Sequence, residues 1–153
     1  MMPTALRSGE ERSVPGAGLG PRLQAPLLLV EDNAALRQML SWELGDLGYQ
    51  VRAAGGCAEA RQLIERQPVC CALIDIRLPD GDGRELSAEL AERVPGLEIV
   101  LMSGAHDLQP DPGLAPHVRV FLRKPVNLHR IHQLFGATGA HPRQCVSNGL
   151  RVP

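Results

Sequence analysis

Four apolar residues, Leu27-Leu28-Leu29-Val30, run without a break into two acids, Glu31 and Asp32. A run this short and apolar at every position leaves no face for water. It predicts a strand covered on both sides, as in a parallel sheet between two layers of helices. Further strand-like runs lie at residues 49–54, 70–74, 97–102 and 118–122. Between these runs the spacing turns helical. Asn33 is placed to cap a helix that continues to about Leu47 and stops at Gly48, with Leu36, Met39, Leu40, Leu44 and Leu47 on its inner side. Residues 57–66 form a second helix, buried through Ala60, Leu63 and Ile64, and residues 84–93 a third. Residues 127–136 close the series with Leu128, Ile131, Leu134 and Phe135 inward. Five strands alternating with helices predict an α/β fold, a doubly wound parallel sheet with helices on both faces.

One crossover departs from this rhythm. Pro110, Pro112, Gly113 and Pro116 stand between Ala105 and His117 and forbid a long regular helix, so the fourth crossover is expected to be shortened or irregular. Residues 1–25, with Pro3, Pro15 and Pro21 and several glycines, read as a flexible arm, and residues 138–153 as a flexible tail, leaving 26–137 as the folded domain. Gly16-Ala17-Gly18-Leu19-Gly20 precedes the first strand instead of following one, which removes a dinucleotide loop.

Charge and composition exclude several classes. The net charge is −1, and the arms hold five arginines against Glu10 and Glu11, so residues 27–137 carry a net −4. A surface of that sign does not suit direct DNA binding. No apolar run approaches the roughly 20 residues of a membrane helix, and the first residues lack a leader pattern, so a cytoplasmic protein is expected. Cys57, Cys70, Cys71 and Cys145 contain no CxxC pair, which argues against structural zinc and against a disulfide framework.

In an open parallel sheet, ligands gather beyond the carboxyl ends of the strands. The first strand delivers Glu31 and Asp32 there, the third Asp75, the fourth Ser103 and Gly104, and the fifth Lys124 and Pro125. Three carboxylates at one edge repel one another unless one is protonated or a cation binds. With oxygen donors alone and no His or Cys beside them, the cation favoured is Mg²⁺. A lysine and a hydroxyl next to such a centre suit a phosphoryl group, with Asp75 as nucleophile. Lys124 is the only lysine in the chain, against fifteen arginines, which fits a place where a compact ammonium serves and a guanidinium fork does not. Taken singly, each feature has a plainer meaning: acids favoured at a helix start, a turn after Asp75, a loop at Ser103-Gly104.

The stretches Leu28-Leu29-Val30-Glu31-Asp32-Asn33, Leu73-Ile74-Asp75-Ile76-Arg77-Leu78-Pro79-Asp80-Gly81-Asp82-Gly83, Leu101-Met102-Ser103-Gly104 and Phe121-Leu122-Arg123-Lys124-Pro125 together resemble the receiver domain of two-component response regulators. The resemblance covers roughly residues 26–137. It implies a flavodoxin-like five-stranded sheet in the order 2-1-3-4-5, an order that receiver proteins themselves exemplify. It further implies that Asp75 is the phosphoacceptor and takes its phosphoryl group from a sensor histidine kinase or a histidine phosphotransfer protein. Glu31, Asp32, Asp75 and the backbone carbonyl of Arg77 would hold Mg²⁺. Ser103 and Lys124 would bind the phosphoryl group, the latter across a cis bond to Pro125. Phe121 would be an aromatic switch, and Gly104 and Pro125 would support the site. The protein would then be a regulatory phosphoacceptor and not an enzyme acting on a separate substrate, signalling to a downstream protein, with a homodimer left open. With 16 residues after the closing helix, a stand-alone receiver without a DNA-binding domain is the expectation.

Other classes fit less well. A phosphatase of the haloacid dehalogenase type needs a second aspartate two residues after the nucleophile, and position 77 is arginine. A flavodoxin needs a hydroxyl- and glycine-rich phosphate loop where Glu31-Asp32-Asn33 stands. The alternative that remains is an interaction module that keeps the fold without regulation by phosphorylation. His129 and His132 read as part of a helix face, not as a metal pair.

Overall fold

The computed structural model describes residues 25–104 and 116–137. Five strands, β1 (Ala25–Val30), β2 (Tyr49–Ala54), β3 (Cys71–Asp75), β6 (Glu98–Ser103) and β7 (Val118–Arg123), form one sheet in the order β2-β1-β3-β6-β7, and every pairing in it is parallel. Numbered within that sheet, the order is the expected 2-1-3-4-5. A short antiparallel hairpin lies outside it, with β4 (Arg77–Leu78) paired to β5 (Gly81–Asp82). The helices described are α1 (Ala34–Asp46), α2 (Cys57–Arg66), α3 (Gly83–Arg93) and α4 (Leu128–Ala137).

The period-two geometry of a strand splits β1 between two cores. Leu27 and Leu29 join Leu40 and Leu44 of α1 and Ile131 and Phe135 of α4 on one side. Leu28 and Val30 join Ala60 of α2 and Leu86 and Leu90 of α3 on the other. All four β1 side chains are fully buried, which explains the absence of any polar position in the run. Each such leucine contributes on the order of 1.5–3 kcal/mol through burial. The three central strands β1, β3 and β6 are thus covered on both faces, while the edge strands β2 and β7 keep exposed or half-buried positions such as Gln50 and Arg119.

Local signals set the helix ends. Asn33 Oδ1 accepts the Leu36 N–H at 2.9 Å and caps α1. At its other end the chain turns at Gly48, whose φ of 104° is a conformation that favours glycine. Asp82 caps α3 by accepting the Arg84 N–H at 2.7 Å.

The differences from the sequence expectation are small and physical. β3 and β6 each sit one residue further along, so Asp75 and Ser103 are the last residues of their strands. Residues 77–82, where a turn is the plainer reading of the sequence, pair as the β4–β5 hairpin. On α1, Met39 is 44 % exposed instead of inward, and Trp42 on the same helix is 67 % exposed. Cys57 and Cys71 are buried free thiols. The two arms and the proline-rich residues 105–115 lie outside the described residues.

Candidate functional site

Parallel registration brings the strand ends level. Asp75 lies opposite Met102, and Ser103 opposite Arg123. The ladder continues one step past the last strand, where the Lys124 N–H donates to the Ser103 carbonyl at 2.8 Å. A similar bond, from the Glu31 N–H to the Ala54 carbonyl at 3.0 Å, extends β1. Residues from four separate segments therefore meet at one edge because the backbone carries each there.

Glu31, Asp32 and Asp75 offer carboxylate oxygens that all lie within 4.8 Å of one another. Glu31 and Asp75 are buried, at 1 % and 4 % exposure, and Asp32 is open to solvent. The Lys124 ammonium joins the two buried acids, donating to Glu31 Oε1 at 2.7 Å and to Asp75 Oδ2 at 2.8 Å. Asp75 Oδ1 accepts the Arg77 N–H at 3.2 Å, and Glu31 Oε2 accepts the Asn33 N–H at 3.0 Å. Both buried carboxylates are thus held through both oxygens.

Electrostatics follow from this packing. Burial raises the Glu31 carboxyl above the ordinary 4.5, against the opposing pull of the Lys124 and Asn33 hydrogen bonds. Burial acts to lower Lys124, but its bonds to Asp75 and Glu31 outweigh it and hold the ammonium above the ordinary 10.5. Among the described residues Lys124 pairs with two of the three acids, Glu31 and Asp75. Oxygen donors without sulfur or imidazole fit a hard divalent ion.

The remaining expected residues lie on the neighbouring strands β6 and β7 and in the turn after β7. Ser103 is buried at the end of β6, with its hydroxyl on the Gly104 carbonyl at 3.4 Å. The Lys124–Pro125 bond is cis. Phe121 is half-buried on β7, and the Arg84 guanidinium carbon lies 5.9 Å from its ring centre. His132, exposed on α4 as the helix-face reading has it, also has Nδ1 2.9 Å from the Tyr49 hydroxyl.

Two site features have no counterpart among the sequence expectations. Arg37, on α1, donates through Nη1 to the carbonyls of Glu31 at 2.7 Å and Asp32 at 3.3 Å, and so pins the turn that carries both acids. Its acceptors are main-chain groups, which no side-chain pattern reveals. Gly83 lies against the Asp75 backbone so closely that a Cβ there would collide with the Asp75 carbonyl. The sequence shows the glycine at the start of α3 and the strand end at Asp75, but not that the two backbones touch.

Similarity to known proteins agrees with this geometry. The family described as response regulator receiver domain matches residues 27–135. The response regulator protein PilR of Pseudomonas aeruginosa is 33 % identical over 108 residues, which is 70 % of this chain and 24 % of PilR. The transcriptional regulatory protein GlrR of Escherichia coli is 34 % identical over 111 residues, 71 % of this chain and 25 % of GlrR. The chain spans about a quarter of the length of these relatives. Among solved structures, a response regulator receiver domain protein from Clostridium thermocellum superposes with a TM-score of 0.67 at 19 % identity, covering 74 % of this chain and 92 % of that one. A response regulator receiver protein from Sinorhizobium medicae gives 0.65 at 26 % identity, covering 74 % and 96 %.

Proposed function

The chain belongs to the response regulator receiver domain family, and on that premise we propose that Asp75 accepts a phosphoryl group from a histidine kinase or a histidine phosphotransfer protein. The observation that carries the reading is Asp75 itself. It is a buried carboxylate with Lys124 Nζ 2.8 Å from one oxygen, inside a cluster of three acids. In the transfer, the phosphorus–nitrogen bond of the donor histidine breaks as a bond forms from phosphorus to an Asp75 oxygen, and the histidine nitrogen keeps the electron pair. Lys124 lies beside the acceptor oxygen and offsets the negative charge that arrives. Ser103, at the neighbouring strand end, supplies a hydroxyl for a phosphoryl oxygen.

Glu31, Asp32, Asp75 and the Arg77 carbonyl would hold Mg²⁺, which when bound neutralises charge on the phosphoryl oxygens. Their all-oxygen donor set fits that ion. Phe121 and the β7 end next to Lys124 would respond to the new contacts at Ser103. The reading makes residues 26–137 a cytoplasmic switch of protein–protein contacts, with a downstream protein as its target.

Intact mass measured after incubation with acetyl phosphate tests the reading. One phosphoryl adduct is expected, dependent on Mg²⁺ and abolished in Asp75→Asn. Absence of an adduct together with absence of any spectral response to beryllofluoride would make the domain a constitutive binding module instead.

A further inference from the structure

Helix α2 begins without a cap of its own. Its N-cap position is Gly56, which has no side chain to offer the free N–H groups of the first turn. They are taken instead by a residue more than twenty positions away. Asp80 Oδ1 accepts the Cys57 N–H at 2.7 Å, and Asp80 Oδ2 accepts the Ala58 N–H at 3.0 Å. A carboxylate across a helix N-terminus also meets the positive end of the helix dipole.

Both sides of this contact are cut back to admit it. A Cβ on Gly56 would lie 2.7 Å from Asp80 Oδ1, and a Cβ on Gly81 would lie 2.9 Å from Cys57 Sγ. Asp80 stands at the tip of the β4–β5 hairpin, between Leu78 and Gly81, which pair with each other. The base of the same hairpin is Arg77 paired with Asp82. Arg77 is the residue whose N–H binds Asp75 Oδ1, and Asp82 is the residue that caps α3. The hairpin therefore has one end at the acidic cluster and the other fastened to α2.

We propose that Asp80 is a positioning residue that clasps the hairpin tip to α2 and thereby holds Arg77 in the place from which it serves Asp75. Asp80 is exposed and touches none of the three clustered acids in the contacts described, so its influence passes through the hairpin backbone. The proposal rests on the reading of Asp75 given above for its functional meaning, and on geometry alone for the clasp. Outer groups that orient a metal's ligands commonly change its affinity by about 10–100-fold when removed.

Amide hydrogen exchange on the full chain, compared among wild type, Asp80→Ala, Asp80→Asn and Gly56→Ala, tests it. In Asp80→Ala the amides of Cys57, Ala58 and Arg77 should exchange about tenfold faster, a ratio equivalent to the loss of one ordinary cap, while Leu28 and Leu73 in the sheet keep their rates. Gly56→Ala should reproduce this pattern by displacing the carboxylate, and Asp80→Asn, with one acceptor oxygen left, should fall between. Faster exchange at Cys57 and Ala58 with Arg77 unmoved would reduce Asp80 to a helix cap and overturn the proposal. Uniform acceleration through the sheet would overturn it too. Calorimetric titration with Mg²⁺ supplies the functional arm, with affinity about tenfold weaker in Asp80→Ala; equal affinity would refute the positioning role. A wild-type protein that binds no Mg²⁺ would refute the metal reading of the acid cluster, while the exchange rates still decide the clasp.

Discussion

Lys124 closes a charge balance that Glu31 cannot satisfy alone: a carboxylate only 1 % exposed has one ammonium 2.7 Å from its Oε1. Removing the lysine strands that acid and Asp75 together. Lys124→Met should destabilise the fold by about 2–3 kcal/mol, less than the roughly 3–5 kcal/mol that breaking a fully buried pair costs, because Glu31 can take up a proton in compensation. Urea unfolding near neutral pH measures this. Lys124→Arg should recover little, since a planar fork does not match oxygens on two different residues.

Gly83 and Gly45 should respond to alanine with opposite signs. At Gly83 a methyl group meets the Asp75 carbonyl and the Ile76 backbone, so Gly83→Ala should cost about 1–3 kcal/mol, as overpacking does. At Gly45, inside α1, a Cβ meets nothing within 4 Å. Gly45→Ala should gain about 0.5–1 kcal/mol from helix propensity. Thermal or urea unfolding of the two single variants checks both.

Asn33→Ala should lower stability by about 1 kcal/mol through loss of the α1 cap. The Asn33 main-chain N–H on Glu31 Oε2 survives the substitution, so the acid cluster should keep its geometry. Unfolding curves measure the first effect, and an unchanged NMR shift for the Lys124 side chain checks the second.

The Asp80 clasp carries a pH signature. The N–H groups of Ala58 and Cys57 hold its carboxyl below the ordinary 3.8. A group depressed in the folded state contributes stability that is complete above its unfolded value and is lost as pH falls through the folded one. The stability difference between wild type and Asp80→Ala should therefore be constant above pH 3.8 and shrink below it. Unfolding measured on both sides of that value tests the sign.

Much of the architecture was legible because it rests on local pattern. Short apolar-rich runs announced the strands, and the residues following them named the polar edge, so Glu31, Asp32, Asp75 and Lys124 could be placed together before any geometry was known. The contacts that escaped, at the site and in the hairpin beside it, were those made to main-chain groups. Arg37 reaches two carbonyls and Asp80 two N–H groups, and neither acceptor nor donor leaves a mark in the sequence. Met39 fitted the inward spacing of α1 yet lies outward, because apolar residues occur on more than one side of that helix. The hairpin at 77–82 was hidden by its turn-forming residues, which suit a simple bend equally well.

Trp42 gives the molecule an optical asymmetry. It is the chain's only tryptophan, and it stands two-thirds exposed on the surface of α1. The only tyrosine, Tyr49, is enclosed at the edge of the sheet, edge-on to His132 and Phe135. Indole emission is therefore already that of a chromophore in water when the chain is native, and it changes little in colour on unfolding. The same exposure makes it a reporter of whatever lands on α1: a partner seated there would shift the emission to the blue and shield it from iodide, while the tyrosine absorbance stayed silent.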